Sequence, residues 1–128
     1  MHAFWLEDDD NVFESIQRFF ELRGWDCTRA TTMALGRALL AVPPAPYDCA
    51  VLDLNLPDGK GVHLLVDANY PDIPTALYSG LPENAKAELA KLDALEIKTT
   101  ETTPVVVFSK GDPFGLLKWL EAVADDTP

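Results

Sequence analysis

Residues 51–61 read VLDLNLPDGKG, and in this stretch one carboxylate, Asp53, follows an apolar run and precedes a turn-rich segment. An aspartate directly after Ala50-Val51-Leu52 is disfavoured inside a buried strand, because an unpaired buried charge is costly or is neutralised by a shifted pKa. Asp53 therefore has a partner or sits at an exposed strand end. Around it, Cys49 to Leu54 is apolar almost throughout, the pattern of a strand in a parallel sheet with helices on both faces. After it, Pro57-Asp58-Gly59-Lys60-Gly61 makes a turn into a helix through Val62, Leu64, Leu65 and Val66, which Pro71-Asp72-Ile73-Pro74 breaks.

The same alternation extends in both directions. Ala3-Phe4-Trp5-Leu6 is too short for a helix and stops at Glu7-Asp8-Asp9-Asp10, so it reads as a buried strand with an acidic C-terminal end. Val12, Phe13, Ile16, Phe19 and Phe20 recur at helical spacing until Gly24, which predicts a first helix over Val12 to Arg23. Trp25 to Ala30 reads as a second strand, edge-like because of Asp26 and Arg29. Thr31 or Thr32 caps a second helix through Met33, Leu35, Leu39 and Leu40, and Pro43-Pro44-Ala45-Pro46 is a connector. Thr75 to Tyr78 predicts a fourth strand ending at Ser79-Gly80. Pro82 opens a helix with Ala85, Leu89, Leu92 and Leu95 on one face. Lys98 to Thr103 is polar without a helical stripe. Pro104 to Phe108 predicts a fifth strand ending at Ser109-Lys110, and Phe114 to Val123 a closing helix. Strands alternating with helices imply right-handed crossovers and a parallel sheet between helix layers.

Composition narrows the function. The 128 residues suit one domain, long enough to bury about two-thirds of the surface of the unfolded chain. A formal net charge of −11 argues against a nucleic-acid partner, whose phosphates demand Lys and Arg. The N-terminus lacks a basic stretch followed by an apolar core, and no apolar run approaches the ~20 residues of a membrane span, so a soluble, cytoplasmic protein is expected. Cys27 and Cys49 lie in apolar, strand-like sequence and read as small buried hydrophobes.

In parallel α/β sheets ligands bind beyond the C-terminal strand edge. Glu7, Asp8, Asp53, Ser79 and Lys110 all fall at such strand ends. Three carboxylates held together repel one another, and a hard divalent cation is the simplest compensation; Mg2+ takes one or two carboxylates and leaves room for phosphate oxygens. Lys110 supplies a positive charge for Asp53 or a phosphoryl oxygen, and Ser79 a hydroxyl donor. A carboxylate can itself be the nucleophile, so the set predicts phosphoryl acceptance on Asp53. Each residue alone has a plainer reading: Glu7 and Asp8 as a solvated helix entry, Asp53 as a turn former, Ser79 as a turn hydroxyl, Lys110 as a surface lysine. Their joint placement favours the site. A calcium loop counted from Asp53 fails, with Asp58 at the glycine position and Leu64 at the twelfth. Four acids after the first strand would repel a flavin phosphate. A phosphatase with an aspartyl nucleophile would normally bring a second acid near it, and position 55 is Asn.

LEDDDNVFESIQRFFELRGW and YDCAVLDLNLPDGKGVHLL together resemble the receiver domain of bacterial two-component response regulators, and the resemblance covers essentially the whole chain, residues 1–128. It implies an α/β, flavodoxin-like fold in three layers, with a five-stranded parallel sheet of order 2-1-3-4-5 flanked by five helices. It implies Asp53 as phosphoacceptor, Asp8 as a direct Mg2+ ligand, Glu7 as a ligand through a metal-bound water, and the Asn55 backbone carbonyl as a further ligand. Ser79 and Lys110 take the hydroxyl and lysine roles. It also implies a phosphorelay signalling domain rather than an enzyme, phosphorylated by a sensor histidine kinase or histidine phosphotransfer protein. Output would pass to a downstream protein through the face of the fourth helix, fifth strand and fifth helix; a homodimer is compatible. The alternative is a pseudo-receiver whose output does not depend on phosphorylation.

Some positions depart from the family pattern. Gly111-Asp112 separates Lys110 from Pro113, where proline usually follows the lysine directly. The place three before the lysine, usually aromatic, holds Val107, with Phe108 beside it. The interval from Ser79 to Lys110 is long and carries the Thr-rich segment. Two residues beyond the phosphoacceptor and the hydroxyl stand Asn55 and Leu81, at the places that the resemblance implies govern access of water to the phosphoryl group. In the implied strand order the first strand separates Cys27 from Cys49 by roughly 9–10 Å, beyond the ~7 Å that a disulfide bridges, so both are expected to stay reduced.

Overall fold

The computed structural model describes residues 1–42, 47–92 and 105–126. Five strands form one parallel sheet: β1 (His2–Leu6), β2 (Asp26–Ala30), β3 (Cys49–Leu52), β6 (Thr75–Ser79) and β7 (Val105–Ser109). Their order is β2-β1-β3-β6-β7. Counted within the sheet alone, this is the expected 2-1-3-4-5. Between β3 and β6 lies a small antiparallel hairpin, β4 (Asn55–Leu56) with β5 (Gly59–Lys60).

Side chains alternate between the two faces of a strand, and both faces are covered here. Phe4, Leu6, Ala50, Leu52 and Leu77 face helix α2 (Met33–Leu40), the 3-10 helix Gly61–Val66 and helix α3 (Pro82–Leu92). Ala3, Trp5, Cys49, Val51, Ala76 and Tyr78 face α1 (Asp10–Arg23) and α4 (Pro113–Asp126). Trp5 packs edge-on against Phe13 and Phe20 of α1, with centroids 6.3 and 5.8 Å away. The result is three layers. Among the described residues no helix is long and apolar enough to cross a membrane.

Several boundaries move for local reasons. Helix α1 begins at Asp10 rather than Val12, because the Asp9 carboxylate accepts from the amides of Asn11 (2.9 Å) and Val12 (3.3 Å) and caps it. Of the two candidate caps for α2, Thr32 is used, accepting from the Leu35 amide at 3.1 Å. Strand β3 stops at Leu52 instead of Leu54. The closing helix starts at Pro113 and runs on to Asp126. The helix after Gly61 is a six-residue 3-10 turn. The connector Pro43-Pro44-Ala45-Pro46, Leu95, the Lys98 to Thr103 segment and Pro104 lie outside the described residues.

The hairpin that follows Asp53 is fastened on both sides. The Asp58 carboxylate accepts from the amides of Met33 (2.7 Å) and Ala34 (3.0 Å) at the start of α2, and these bonds hold its pKa below the ordinary carboxylate value. Lys60 Nζ lies 2.8 Å from Glu88 of α3. Both cysteines are free, and Ala3 of β1 is the lateral partner of Cys27 on one side and Cys49 on the other. The strand between them keeps the thiols apart, as the sequence predicts.

Candidate functional site

The C-terminal ends of β1, β3, β6 and β7 deliver polar groups to the same edge, two of them, Glu7 and Asp8, after β1. Glu7 follows β1, and its amide donates to Ala30 O at the end of β2 (3.0 Å). Asp53 follows β3, and its amide donates to Leu6 O (2.8 Å). Lys110 follows β7, with its amide on Ser79 O, the last residue of β6 (2.8 Å). The backbone thus continues the sheet's lateral bonding just past the strands, which holds these side chains above the edge.

The carboxylates of Glu7, Asp8 and Asp53 each place an oxygen within 4.8 Å of the other two. Glu7 and Asp53 are buried at 1% and 7% exposure, whereas Asp8 is exposed. Lys110 Nζ reaches between the buried pair, 2.9 Å from Glu7 Oε1 and 3.2 Å from Asp53 Oδ2. The two residues inserted before Pro113 do not carry Lys110 away from the cleft. Gly111 and Asp112 turn back on Ser109, their amides donating to its Oγ and carbonyl, both at 3.0 Å. Ser79 is also buried, and its Oγ accepts from the Leu81 amide at 3.0 Å. Asn55 stands exposed at the start of β4, two residues beyond Asp53.

One ammonium between two buried carboxylates is an unbalanced arrangement. Burial pushes the Glu7 carboxyl up from 4.5 to about 7, and the hydrogen bond and charge of Asp53 add to the rise, against the pull of Lys110. Burial opposes the charge on Lys110, yet its contacts with Glu7 and Asp53 outweigh this and hold the ammonium above its ordinary range. Lys110 therefore stays charged while Glu7 retains a proton toward neutrality. The site lacks positive charge, and three oxygen donors this close, one of them open to solvent, fit a hard divalent cation such as Mg2+.

Comparison with known proteins gives the arrangement a context. A receiver domain (CheY-like) from Methanospirillum hungatei JF-1 superposes with a TM-score of 0.74 at 20% identity, covering 98% of this chain and 94% of that one. The fold is that of a response-regulator receiver domain. In sequence, the receiver-like chain is 33% identical over 76 residues to the transcriptional regulatory protein CssR of Bacillus subtilis, covering 58% of this chain and 32% of CssR. It is 31% identical over 87 residues to the photosynthetic apparatus regulatory protein RegA of Rhodovulum sulfidophilum, covering 66% of this chain and 46% of RegA. Each match spans less than half of the curated relative. No family model matches the chain.

Within the receiver fold, strand alternation decides the question of the missing aromatic. Val107 packs into the layer of α2 and α3, while Phe108, one residue on, points to the opposite face and lies 6.3 Å from Trp119 of α4. Phe108 does not replace an aromatic at position 107.

The sequence reading missed Arg29 and Asp58. Arg29, read only as weakening an edge strand, donates its Nε to Glu7 O (2.9 Å) and pairs through Nη1 with Asp10 (2.8 Å). A cation at the end of the strand beside an acidic strand end was the available signal.

Proposed function

We propose that the chain is a receiver domain over residues 1–128 that accepts a phosphoryl group on Asp53 from a sensor histidine kinase or a histidine phosphotransfer protein. The observation that carries this reading is Lys110 Nζ, held 3.2 Å from Asp53 and 2.9 Å from Glu7 at the sheet edge where Ser79 also ends its strand. In the transfer, an Asp53 oxygen attacks phosphorus, the phosphorus–nitrogen bond of the donor phosphohistidine breaks, and its electron pair returns to the imidazole. Lys110 moves from the carboxylates to a phosphoryl oxygen, and Ser79, whose Oγ accepts from the Leu81 amide, keeps its hydroxyl hydrogen to donate to another. Glu7 and Asp8, with the Asp53 carboxylate and the Asn55 carbonyl, would hold Mg2+. When bound, Mg2+ supplies positive charge to the phosphoryl oxygens. Output passes through the face of α3, β7 and α4 to a downstream protein, in a cytoplasmic two-component pathway. Two curated relatives bear the names of regulatory proteins. Incubation with a small phosphodonor and Mg2+, followed by intact mass measurement, tests the reading.

Magnesium and protons should compete at this site. In its absence the native state keeps the Glu7 proton up to about 7 while the unfolded chain loses it near 4.5, so stability declines as pH rises through that window. A cation that favours the ionised carboxyl offsets the decline. The rise in melting temperature caused by millimolar Mg2+ should be larger at about pH 8 than at about pH 5.5, and Asp8→Asn should reduce it. A melting temperature indifferent to Mg2+ at both values would remove the metal from the site.

The phosphorylated state should be fairly persistent. Leu81 offers no hydrogen bond to an attacking water and is 57% exposed beside Ser79, so it can shield the phosphoryl group. Leu81→Glu should speed phosphate loss several-fold at constant Mg2+, and equal or slower loss would show that this side chain does not control access. A phosphorylation-independent pseudo-receiver is the second reading, favoured by Val107 at the place of the usual aromatic and by Phe108 packing on the opposite face of β7 against Trp119. It requires wild type that takes up no phosphate yet still binds its partner.

A further inference from the structure

We infer that Arg29 is a positioning residue for the divalent-cation site, shaping the Glu7 to Asp10 turn that presents the ligands. This inference rests on the proposed metal role of Glu7 and Asp8. Arg29 lies one residue from the end of β2, the edge strand, and the sheet register sets it beside Trp5 of β1, two residues before Glu7. Its guanidinium engages the turn at separate points. Nε donates to the Glu7 carbonyl at 2.9 Å, Nη1 pairs with Asp10 Oδ1 at 2.8 Å, and the cation sits 4.6 Å from the Phe13 ring centroid in the first part of α1. Asp8 lies between the two residues that Arg29 grips. A planar fork on a ring face fixes direction as well as charge, which an ammonium does not. The third nitrogen, Nη2, is buried without a hydrogen-bond partner among the described residues. A buried donor left unmade opposes this conformation, so the other contacts must hold the guanidinium in place against that cost.

The sign of the effect separates positioning from charge. A cation near a cation site repels Mg2+, so if Arg29 acted by charge alone, Arg29→Gln would tighten magnesium binding and Arg29→Lys would leave it unchanged. If Arg29 acts by position, both variants weaken it. Calorimetric titration of the purified protein with MgCl2 at constant ionic strength reads this directly, with the circular dichroism and melting temperature of the metal-free protein confirming that each variant is folded. We expect the magnesium dissociation constant to rise several-fold in Arg29→Lys and more in Arg29→Gln. Should either variant fail to fold, Asp10→Asn, which cuts the exposed end of the same grip, is titrated at high salt, where long-range charge effects are screened. A several-fold weakening that persists there supports the inference; unchanged affinity overturns it. Wild type that binds Mg2+ with Arg29→Lys binding equally well, or Arg29→Gln binding more tightly, overturns the positioning role alone. Wild type that binds no Mg2+ overturns the metal reading and this inference with it.

Discussion

Asp53→Ala should abolish phosphoryl uptake while leaving the fold intact. After incubation with Mg2+ and a small phosphodonor, wild type should gain the mass of one phosphoryl group, and the variant should stay at background. The loss is expected to be complete because neither neighbouring carboxylate is equivalent: Glu7 is engaged by Lys110 and holds a proton toward neutrality, and Asp8 is exposed, while Lys110 pairs with Glu7 and Asp53. A protonated carboxyl is a poor nucleophile. Stability should move the other way. Removing one of two buried carboxylates leaves a single Glu7–Lys110 pair, and relieving like-charge crowding allows Glu7 to ionise nearer its ordinary range. The metal-free variant should therefore melt no lower than wild type at neutral pH. A variant that still gains phosphate would move the acceptor to another residue. Wild type that gains none would turn the chain toward the pseudo-receiver reading.

The crowding of Glu7, Asp8 and Asp53 was legible because each carboxylate interrupts or ends an apolar run, and apolar runs locate strand ends well. Parallel connection then brings those ends together, whatever the details of the intervening helices. Lys110 was legible for the same reason, despite the altered spacing to Pro113, since its position depends on where β7 ends and not on the residues after it. The hairpin after Asp53 was not. Its strands are two residues each, too short to carry a period, and Pro57-Asp58-Gly59 reads equally as a turn into a helix. The 3-10 geometry of residues 61–66 was likewise hidden, because Val62, Leu64, Leu65 and Val66 supply apolar residues without enough length to set a helical phase. Asp58 as a cap for α2 and Arg29 on the Glu7 carbonyl are contacts across 25 and 22 residues, and both depend on side-chain reach in the folded state. Asp9 differs. A cap a few residues before the first apolar position was readable, but the run of acids directed attention to the metal instead.

Gly61→Ala should be the most disruptive of the glycine-to-alanine changes, and it should act on the phosphoacceptor from behind. A Cβ at position 61 would collide with the backbone carbonyl oxygen of Asp53, with the Leu6 side chain also in contact. Nothing there can yield cheaply. The Gly61 amide is bonded to Leu54 O at 2.8 Å, the Asp53 amide to Leu6 O at 2.8 Å, and the hairpin between them is tied to α2 through Asp58 and to α3 through Lys60. Relief requires moving either the sheet edge or the hairpin, so the expected destabilisation is about 3 kcal/mol, toward the upper end of overpacking costs. Gly80→Ala is the matched control, since a Cβ there meets nothing within 4 Å, and it should stay within about 0.5 kcal/mol of wild type. Under conditions where Gly61→Ala remains folded, displacing the Asp53 carbonyl by about 1 Å would carry its carboxylate out of line with Lys110 and lower the rate of phosphoryl uptake by about a hundredfold. Denaturant unfolding and the initial rate of mass gain measure the two effects separately. Wild-type stability in Gly61→Ala would show that the hairpin gives way more readily than its bonds imply, and wild-type uptake in a destabilised variant would show that the position of Asp53 is set by β3 alone.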